Sequence, residues 1–247
     1  GMNVFLEKPI TTNYEDLISI KEYLDSNNGN LFINYMMRFH PSFIKLREAL
    51  SLNKIGKILS ANVCHNSYFP QWHKYEKYQN LYAGQKKLGG GTIFTNIHMI
   101  DLIYCLFGLP KRVFSIGGKI SSLEIDVEDT VSSLLDYKIN NHQFPVTLNL
   151  SFAQKPDVNE ITINGEEGKM IMSFDKNKLT LIDNNGEEHN EVDELERNQL
   201  FILSLNDFLS SIDDTNESDA SFSNVYEGHI LALKIKESLT TGELIKI

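Results

Sequence analysis

Residues 159–188, NEITINGEEGKMIMSFDKNKLTLIDNNGEE, decide the fold class of this chain. Short segments rich in Ile, Thr, Met and Leu alternate there with Asn-Gly and Asn-Asn pairs, which favour tight chain reversals. Strand-like segments separated by such turns predict hairpins, in which neighbouring strands run antiparallel. We therefore expect an antiparallel sheet in the second half of the chain.

The same pattern extends towards the N-terminus through residues 111–121, 129–139 and 144–154. Because successive side chains of a strand point in opposite directions, the last segment has two faces. One face carries Val146, Leu148, Leu150 and Phe152, and the other carries Thr147, Asn149, Ser151 and Ala153. The first should pack on helices, and the second can be solvated or pair with another subunit. The sequence thus predicts an α+β fold: an open, mostly antiparallel β-sheet with helices on one face.

A different arrangement precedes this sheet. An apolar run at residues 3–8, a helical pattern in residues 11–30 and a second apolar run at residues 30–39 form one strand–helix–strand unit. Thr12 and Glu15 have the spacing of a capping box at the start of the helix.

A unit of this kind normally belongs to a larger parallel sheet. Alone, it leaves strand edges around residues 4–6 and 31–35 and an uncovered helix face at Leu17, Ile20 and Leu24. We therefore expect the unit to be disordered, refolded or covered by another subunit.

Composition excludes several classes of protein. The formal net charge of −10 disfavours nucleic acids and anionic membranes as partners. No apolar run approaches the length of a membrane span. Cys64 and Cys105 are too few for a disulfide framework, so we expect reduced core residues in a cytoplasmic protein.

Residues 92–108 predict a buried helix with an unusual polar stripe. His98 and Asp101 are close enough on such a helix to interact, and an imidazole near a carboxylate can be tuned for proton transfer. The alternative is structural: His98 would cap a neighbouring loop and Asp101 would pair with a lysine. The stripe consists of Thr92, Thr95, His98 and Asp101.

The preceding loop is rich in aromatic and basic residues. Aromatic rings with polar tips suit sugars or sugar nucleotides, although aromatics also simply pin long loops. Residues 89–91 are three glycines, but no strand–GxGxxG–helix fingerprint or phosphate-binding loop occurs in the sequence. The remaining histidines lack metal-ligand spacing, so no metal site is expected. The loop residues concerned are Tyr68, Trp72, His73, Tyr75, Tyr78, Tyr82, Lys86 and Lys87.

Three motifs in order resemble the Gfo/Idh/MocA family, the glucose–fructose oxidoreductase and inositol dehydrogenase group. They are FLEKPIT at residues 5–11, NYMMRFHPSF at 34–43 and LGGGTIFTNIHMIDLIYCLFG at 88–108. The C-terminal sequence KIKESLTTGELIKI, residues 234–247, is also similar. The resemblance covers nearly the whole chain, from the Glu-Lys-Pro motif onward.

The resemblance implies NAD(P)-dependent oxidation or reduction of a sugar, a sugar nucleotide or a cyclitol. It places Lys8 beside the nicotinamide and the reacting hydroxyl, gives His98 an acid–base role, and implies a homo-oligomer formed through the open sheet face. Cofactor contacts are implied for Glu7, Lys8 and Pro9. Substrate contacts are expected for Arg38, Tyr68, Trp72, His73, Tyr82, Lys86, Thr95 and Asp101.

Two departures from the family bear on activity. Many members carry an aspartate three or four residues before the histidine, where this chain has Thr95 and Phe94. The larger departure is that the glycine-rich part of a Rossmann domain does not occur in this sequence. Residues 1–37 then read as the last βαβ remnant of a dinucleotide-binding domain, and residues 38–247 as a substrate-binding and oligomerisation domain.

Three hypotheses remain. The chain is a truncated oxidoreductase, inactive alone and unable to bind NAD or NADP tightly. Alternatively, it is one half of a split enzyme, or it is a non-catalytic sugar-binding or scaffold module.

Overall fold

In the computed structural model, the N-terminal third of the chain begins with the predicted strand–helix–strand unit. Strand β1 (Asn3–Leu6) and strand β2 (Asn30–Ile33) pair in parallel and are joined by helix α1 (Tyr14–Ser26). Helix α2 (Pro41–Ser51) and the long strand β3 (Ile58–Tyr68) follow. The structure describes residues 2–27, 29–73, 75–139, 141–213 and 218–247. The predicted domains 1–37 and 38–247 therefore each include residues that lie outside the described ranges.

Helix α1 is capped one residue later than the sequence predicts. The Asn13 side chain, rather than that of Thr12, accepts a hydrogen bond from the backbone N–H of Asp16 at 2.8 Å. Asparagine and threonine are both good N-cap residues, so sequence spacing alone does not separate them.

The predicted buried helix at residues 92–108 is divided in two. Helix α3 (Thr92–Thr95) is a single turn, and helix α4 (Ile97–Phe107) continues after Asn96. The Asn96 backbone has φ −97° and ψ 24°, and its side chain donates to the Thr92 hydroxyl at 2.9 Å. This break redirects the chain between Thr95 and His98, which are both candidate site residues.

The second half of the chain forms a nine-stranded sheet with β3. Its order is β10-β9-β8-β7-β3-β6-β5-β4-β11, and within it β3 pairs with β6 in parallel while the other described pairs are antiparallel. The predicted α+β class, with a mostly antiparallel sheet, is therefore confirmed. The remaining strands are β4 (Arg112–Gly118), β5 (Thr130–Ile139), β6 (His142–Ser151), β7 (Ala153–Gly165), β8 (Gly168–Ser173), β9 (Lys178–Asp183), β10 (Glu188–Val192) and β11 (Ile245–Lys246).

Two further helices complete the fold, α5 (Arg197–Asp213) and α6 (Phe222–Thr241). Helices α4 and α6 pack on one face of the sheet and form the main apolar core with it. Buried core residues of the sheet include Val63, Val113, Val131, Leu135, Val146 and Leu148, and those of the helices include Ile97, Ile100, Ile103, Leu231 and Ile235.

The N-terminal unit is covered on one side by the C-terminal helices. The Phe5 ring stacks on Phe32 with centroids 5.1 Å apart, and both rings contact Phe208 of α5 at 5.4 and 5.6 Å. Leu17 is fully buried, so the prediction that it lies on an uncovered face is wrong. Ile20 and Leu24 instead line an open groove of about 640 Å³.

Within the described residues, no single helix is long and apolar enough to cross a membrane. The segments Lys86–Thr95 and Ile97–Phe107 reach that length and composition only as a pair bent by 43°. No group of three or more His, Cys, Asp or Glu side chains in the described part of the chain could hold a metal ion.

Candidate active site

A cavity of about 700 Å³ lies where the loop after β1 approaches α3, α4 and the end of β3. Its wall contains residues from the N-terminal unit, from the aromatic loop and from the sheet. It gathers seven of the predicted site residues: Glu7, Lys8, Trp72, His73, Tyr82, Thr95 and His98.

Lys8 lies two residues after the end of β1, and its side chain is half-buried. The Lys8 ammonium donates a hydrogen bond to the backbone carbonyl oxygen of Thr95 at 2.8 Å. A carbonyl oxygen orients an ammonium without cancelling its charge. The contact therefore fixes the Lys8 ammonium beside Thr95, which lies three residues before His98 in the chain.

Glu7 and Asn34 connect this corner of the cavity to α5. The buried Asn34 side chain donates to Glu7 Oε1 at 2.6 Å, and its own oxygen accepts from the Ser204 hydroxyl at 2.8 Å. The carboxyl ends of β1 and β2 are thus joined by side-chain hydrogen bonds as well as by backbone pairing.

His98 lies in the first turn of α4 and is half-buried. Its imidazole meets the edge of the Tyr35 ring, with centroids 5.8 Å apart and planes at 84°. Tyr35 is buried, and burial raises the pKa of its hydroxyl well above the usual value, so this group stays protonated. The His98 imidazole therefore makes an edge contact with an uncharged ring at the cavity wall.

Asp101 forms a buried ion pair with Arg38, where the structural alternative expected a lysine. Its two carboxylate oxygens accept from Arg38 Nε and Nη2 at 2.8 and 2.6 Å, and both side chains are buried. Arg38 also donates to the carbonyl oxygens of Asp219 and Asn224. Burial raises the pKa of Asp101, and the adjacent guanidinium opposes that rise. The pair ties the segment before α2 to α4 and the start of α6, away from the cavity wall.

Residues 43–171 match the sequence profile of the GFO/IDH/MocA C-terminal domain, which is more than half of the chain. The chain belongs to the Gfo/Idh/MocA family. Oxidoreductase P35 of Formosa agariphila is 28% identical over 193 residues, which cover 74% of this chain and 56% of that protein. The chain thus spans little more than half the length of this curated relative.

Solved structures of Gfo/Idh/MocA dehydrogenases share the fold. Levoglucosan dehydrogenase, in complex with NADH and levoglucosan, has a TM-score of 0.85 and 15% identity, covering 99% of this chain and 74% of its own. The WlbA dehydrogenase of Bordetella pertussis, in complex with NADH and UDP-GlcNAcA, has a TM-score of 0.78 and 18% identity, covering 99% and 72%. At these identities the likeness establishes the architecture.

In this Gfo/Idh/MocA chain, aromatic contacts hold the aromatic loop in place, and the loop also lines the cavity. Trp72 packs edge-to-face on Phe69 and Phe152, and its indole N–H donates to the Ser67 hydroxyl at 3.0 Å. Trp72 also contributes to the cavity wall, so the two interpretations of the loop are compatible. Tyr82 lines the same wall, and burial raises the pKa of its hydroxyl.

Five predicted site residues do not line the cavity. Arg38 and Asp101 form the buried pair described above, and Pro9 follows Lys8 in the loop after β1. The Tyr68 ring lies under the Lys155 ammonium, 3.5 Å from the ring centroid. Lys86 has an exposed side chain and is held by its backbone N–H, which donates to Asp126 at 2.7 Å.

The far wall of the cavity consists of polar residues that the sequence did not indicate. His65 on β3 lies opposite Asn159 on β7, and the Asn159 side chain donates to Asp175 at 2.7 Å. His40 caps α2 through Nδ1, and its other ring nitrogen lies 3.2 Å from Asn177 Oδ1. Burial lowers the pKa of His40.

Proposed function

We propose that this chain supplies the substrate cavity and the acid–base residues of an NAD(P)-dependent dehydrogenase acting on a sugar, a sugar nucleotide or a cyclitol. The observation that carries the proposal is the meeting of Lys8 and His98 in one wall of the same cavity. Family membership and two NADH-bound sugar-ligand relatives of the same fold support it.

The residues present fit one end of a nicotinamide dinucleotide. In parallel α/β sheets, such cofactors lie beyond the carboxyl ends of the strands. The residues that follow the carboxyl ends of β1 and β2, Glu7 and Asn34, both line the cavity. Glu7 and Lys8 would hold the nicotinamide end. The sequence contains no glycine-rich turn for the pyrophosphate. Hence we expect the chain alone to bind the cofactor weakly and to be inactive.

Lys8 and His98 have different roles in the reaction of the substrate. Glu7 and Lys8 would hold a nicotinamide that, when bound, would provide the hydride chemistry of the reaction. The Lys8 ammonium polarises the oxygen of the reacting hydroxyl and stabilises the negative charge that develops there. The hydroxyl proton passes to a ring nitrogen of His98, because imidazole is the side chain that most often serves as a general acid or base.

Titration calorimetry tests this assignment with three ligands: NADH, levoglucosan and UDP-GlcNAcA. We expect no heat with NADH up to about millimolar concentration, because no helix N-terminus in the sequence carries the phosphate-binding glycines. We expect weak sugar binding that Lys8→Met removes and Lys45→Met leaves unchanged, since Lys45 pairs with Asp193 elsewhere.

The other outcomes separate the hypotheses. Tight, stoichiometric NADH binding contradicts inactivity of the chain alone. Sugar binding that survives Lys8→Met contradicts the cavity assignment. Tight sugar binding with no dependence on cofactor favours a non-catalytic binding module instead.

We also propose that the chain forms a homo-oligomer through the open face of the nine-stranded sheet. Phe114 on β4 and Leu134 on β5 are cross-strand neighbours there, and Ile116 lies beside them. All three are exposed apolar side chains. Adjacent apolar side chains on an uncovered sheet face support a protein–protein contact.

A further inference from the structure

His229 is a buried histidine on α6 that the proposed reaction does not use. Its Nε2 lies 2.8 Å from the carbonyl oxygen of Thr11, and its Nδ1 lies 3.4 Å from the Tyr35 hydroxyl. A carbonyl oxygen only accepts, which assigns the ring proton to Nε2 and leaves Nδ1 to accept from Tyr35. A neutral imidazole satisfies both contacts, and burial lowers the pKa of His229 to about 4.

The first contact restrains the loop that carries Lys8. Thr11 lies three residues after Lys8, and its hydroxyl accepts from the backbone N–H of Asn13 and donates to Asp16. The loop is thus tied to α1 by the Thr11 side chain and to α6 by the Thr11 carbonyl. Its other end is held where the Lys8 ammonium meets the Thr95 carbonyl.

The second contact reaches the other proposed catalytic residue. Tyr35 lies between His229 and His98, since its hydroxyl contacts one imidazole and its ring edge meets the other. Phe94, in the turn that leads to His98, stacks on the His229 ring with centroids 6.5 Å apart. One side chain of α6 therefore touches the supports of both Lys8 and His98.

We propose that His229 is a positioning residue that holds Lys8 and His98 in their relative positions in the cavity wall. This inference rests on the proposed function, because it assigns catalytic roles to the two residues that are positioned. Without a donor at position 229, the Thr11 carbonyl loses its tie to α6, and the Lys8 loop gains freedom to leave the Thr95 carbonyl.

The test compares His229→Leu with His229→Gln by competitive acetylation of lysines, read by mass spectrometry. Leu removes the donor, whereas the Gln amide keeps an N–H that can reach the Thr11 carbonyl. Loss of one hydrogen bond should raise the Lys8 labelling rate roughly two- to tenfold in His229→Leu. We expect His229→Gln to label like the wild type. Lys236, on the same helix and paired with Glu128 at 2.6 Å, serves as the internal control.

Two results would overturn the proposal. An unchanged Lys8 rate in folded His229→Leu shows that the contact does not restrain the loop. A parallel rise at Lys8 and Lys236 shows general loosening of α6 instead of positioning. If His229→Leu does not fold, His229→Met, which also lacks a donor but is unbranched, is measured in the same way. Labelling needs neither cofactor nor turnover, so failure of the dehydrogenase assignment appears separately in the calorimetry.

Discussion

At the scale of single residues, burial gives His229 a measurable signature in acid. The pKa of its imidazole falls from 6.5 to about 4 in the folded protein. The unfolded chain therefore takes up the proton first as the pH drops. The stabilisation that comes from burying His229 in its neutral form is complete above pH 6.5 and is lost progressively between pH 6.5 and 4.

We expect this single group to remove about 2 kcal/mol from the free energy of unfolding at pH 5. Urea denaturation at pH 7.5 and pH 5 measures the loss in the wild type and in His229→Gln. His40, whose pKa burial also lowers, contributes equally to both proteins, so the difference between them isolates His229. Equal losses in the two proteins would show that the histidine titrates normally.

Residue types were predicted better than residue partners. The spacing of His98 and Asp101 suggested a pair, but the carboxylate binds Arg38, which is 63 positions earlier in the chain. A partner that distant is chosen by tertiary packing, and spacing along one helix carries no information about it. Both Lys8 and His98 line the cavity. Only the family resemblance pointed to Lys8, whereas the polar stripe of the helix and the resemblance both pointed to His98.

At the scale of elements, Gly91 shows why the glycine run precedes α3. Its φ is +109°, and a Cβ placed there would lie 2.4 Å from Glu128 Oε1. The backbone oxygen of Glu128 accepts from the Thr92 N–H, and its side chain pairs with Lys236. The glycine thus makes room for the residue that holds the start of the helix.

Gly91→Ala should lower the free energy of unfolding by about 3 kcal/mol or more, because backbone strain and displacement of Glu128 add. Gly242→Ala is the matched control. Gly242 also has a positive φ, of +71°, but a Cβ at that position would have no atom within 4 Å, so about 1 kcal/mol of strain is expected. Equal losses measured by urea denaturation would contradict a specific role for the Glu128 contact.

The elements were largely readable from the sequence. Strand alternation and turn residues predicted the mostly antiparallel sheet that the structure contains. The break at Asn96 was not visible, because asparagine is tolerated inside helices and its hydrogen bond to Thr92 is a local choice. Burial of Leu17 was missed because the sequence does not show which later elements pack against α1.

At the scale of the whole molecule, the cavity joins residues that are far apart in the chain. Lys8, His65, His98 and Asn159 come from four separate segments, and the register that sets His65 opposite Asn159 depends on the pairing of β3 with β7. A strand's alternation fixes its two faces but leaves its register against a distant strand open. The far wall of the site was therefore beyond sequence reasoning.

The open sheet face is the other property of the whole molecule, and it makes the proposed oligomer testable. Leu134 is 51% exposed and lies between Phe114 on β4 and Thr147 on β6. In an interface built on this face, Leu134→Lys would bury an unpaired ammonium, which is strongly unfavourable. We expect sedimentation equilibrium to show the dissociation constant rising at least about tenfold. Leu52→Lys is the control, because Leu52 is 60% exposed just after α2 and outside the sheet. If the wild type sediments as a monomer, the proposed oligomer does not form. If the two variants dissociate equally, the contact lies elsewhere on the molecule.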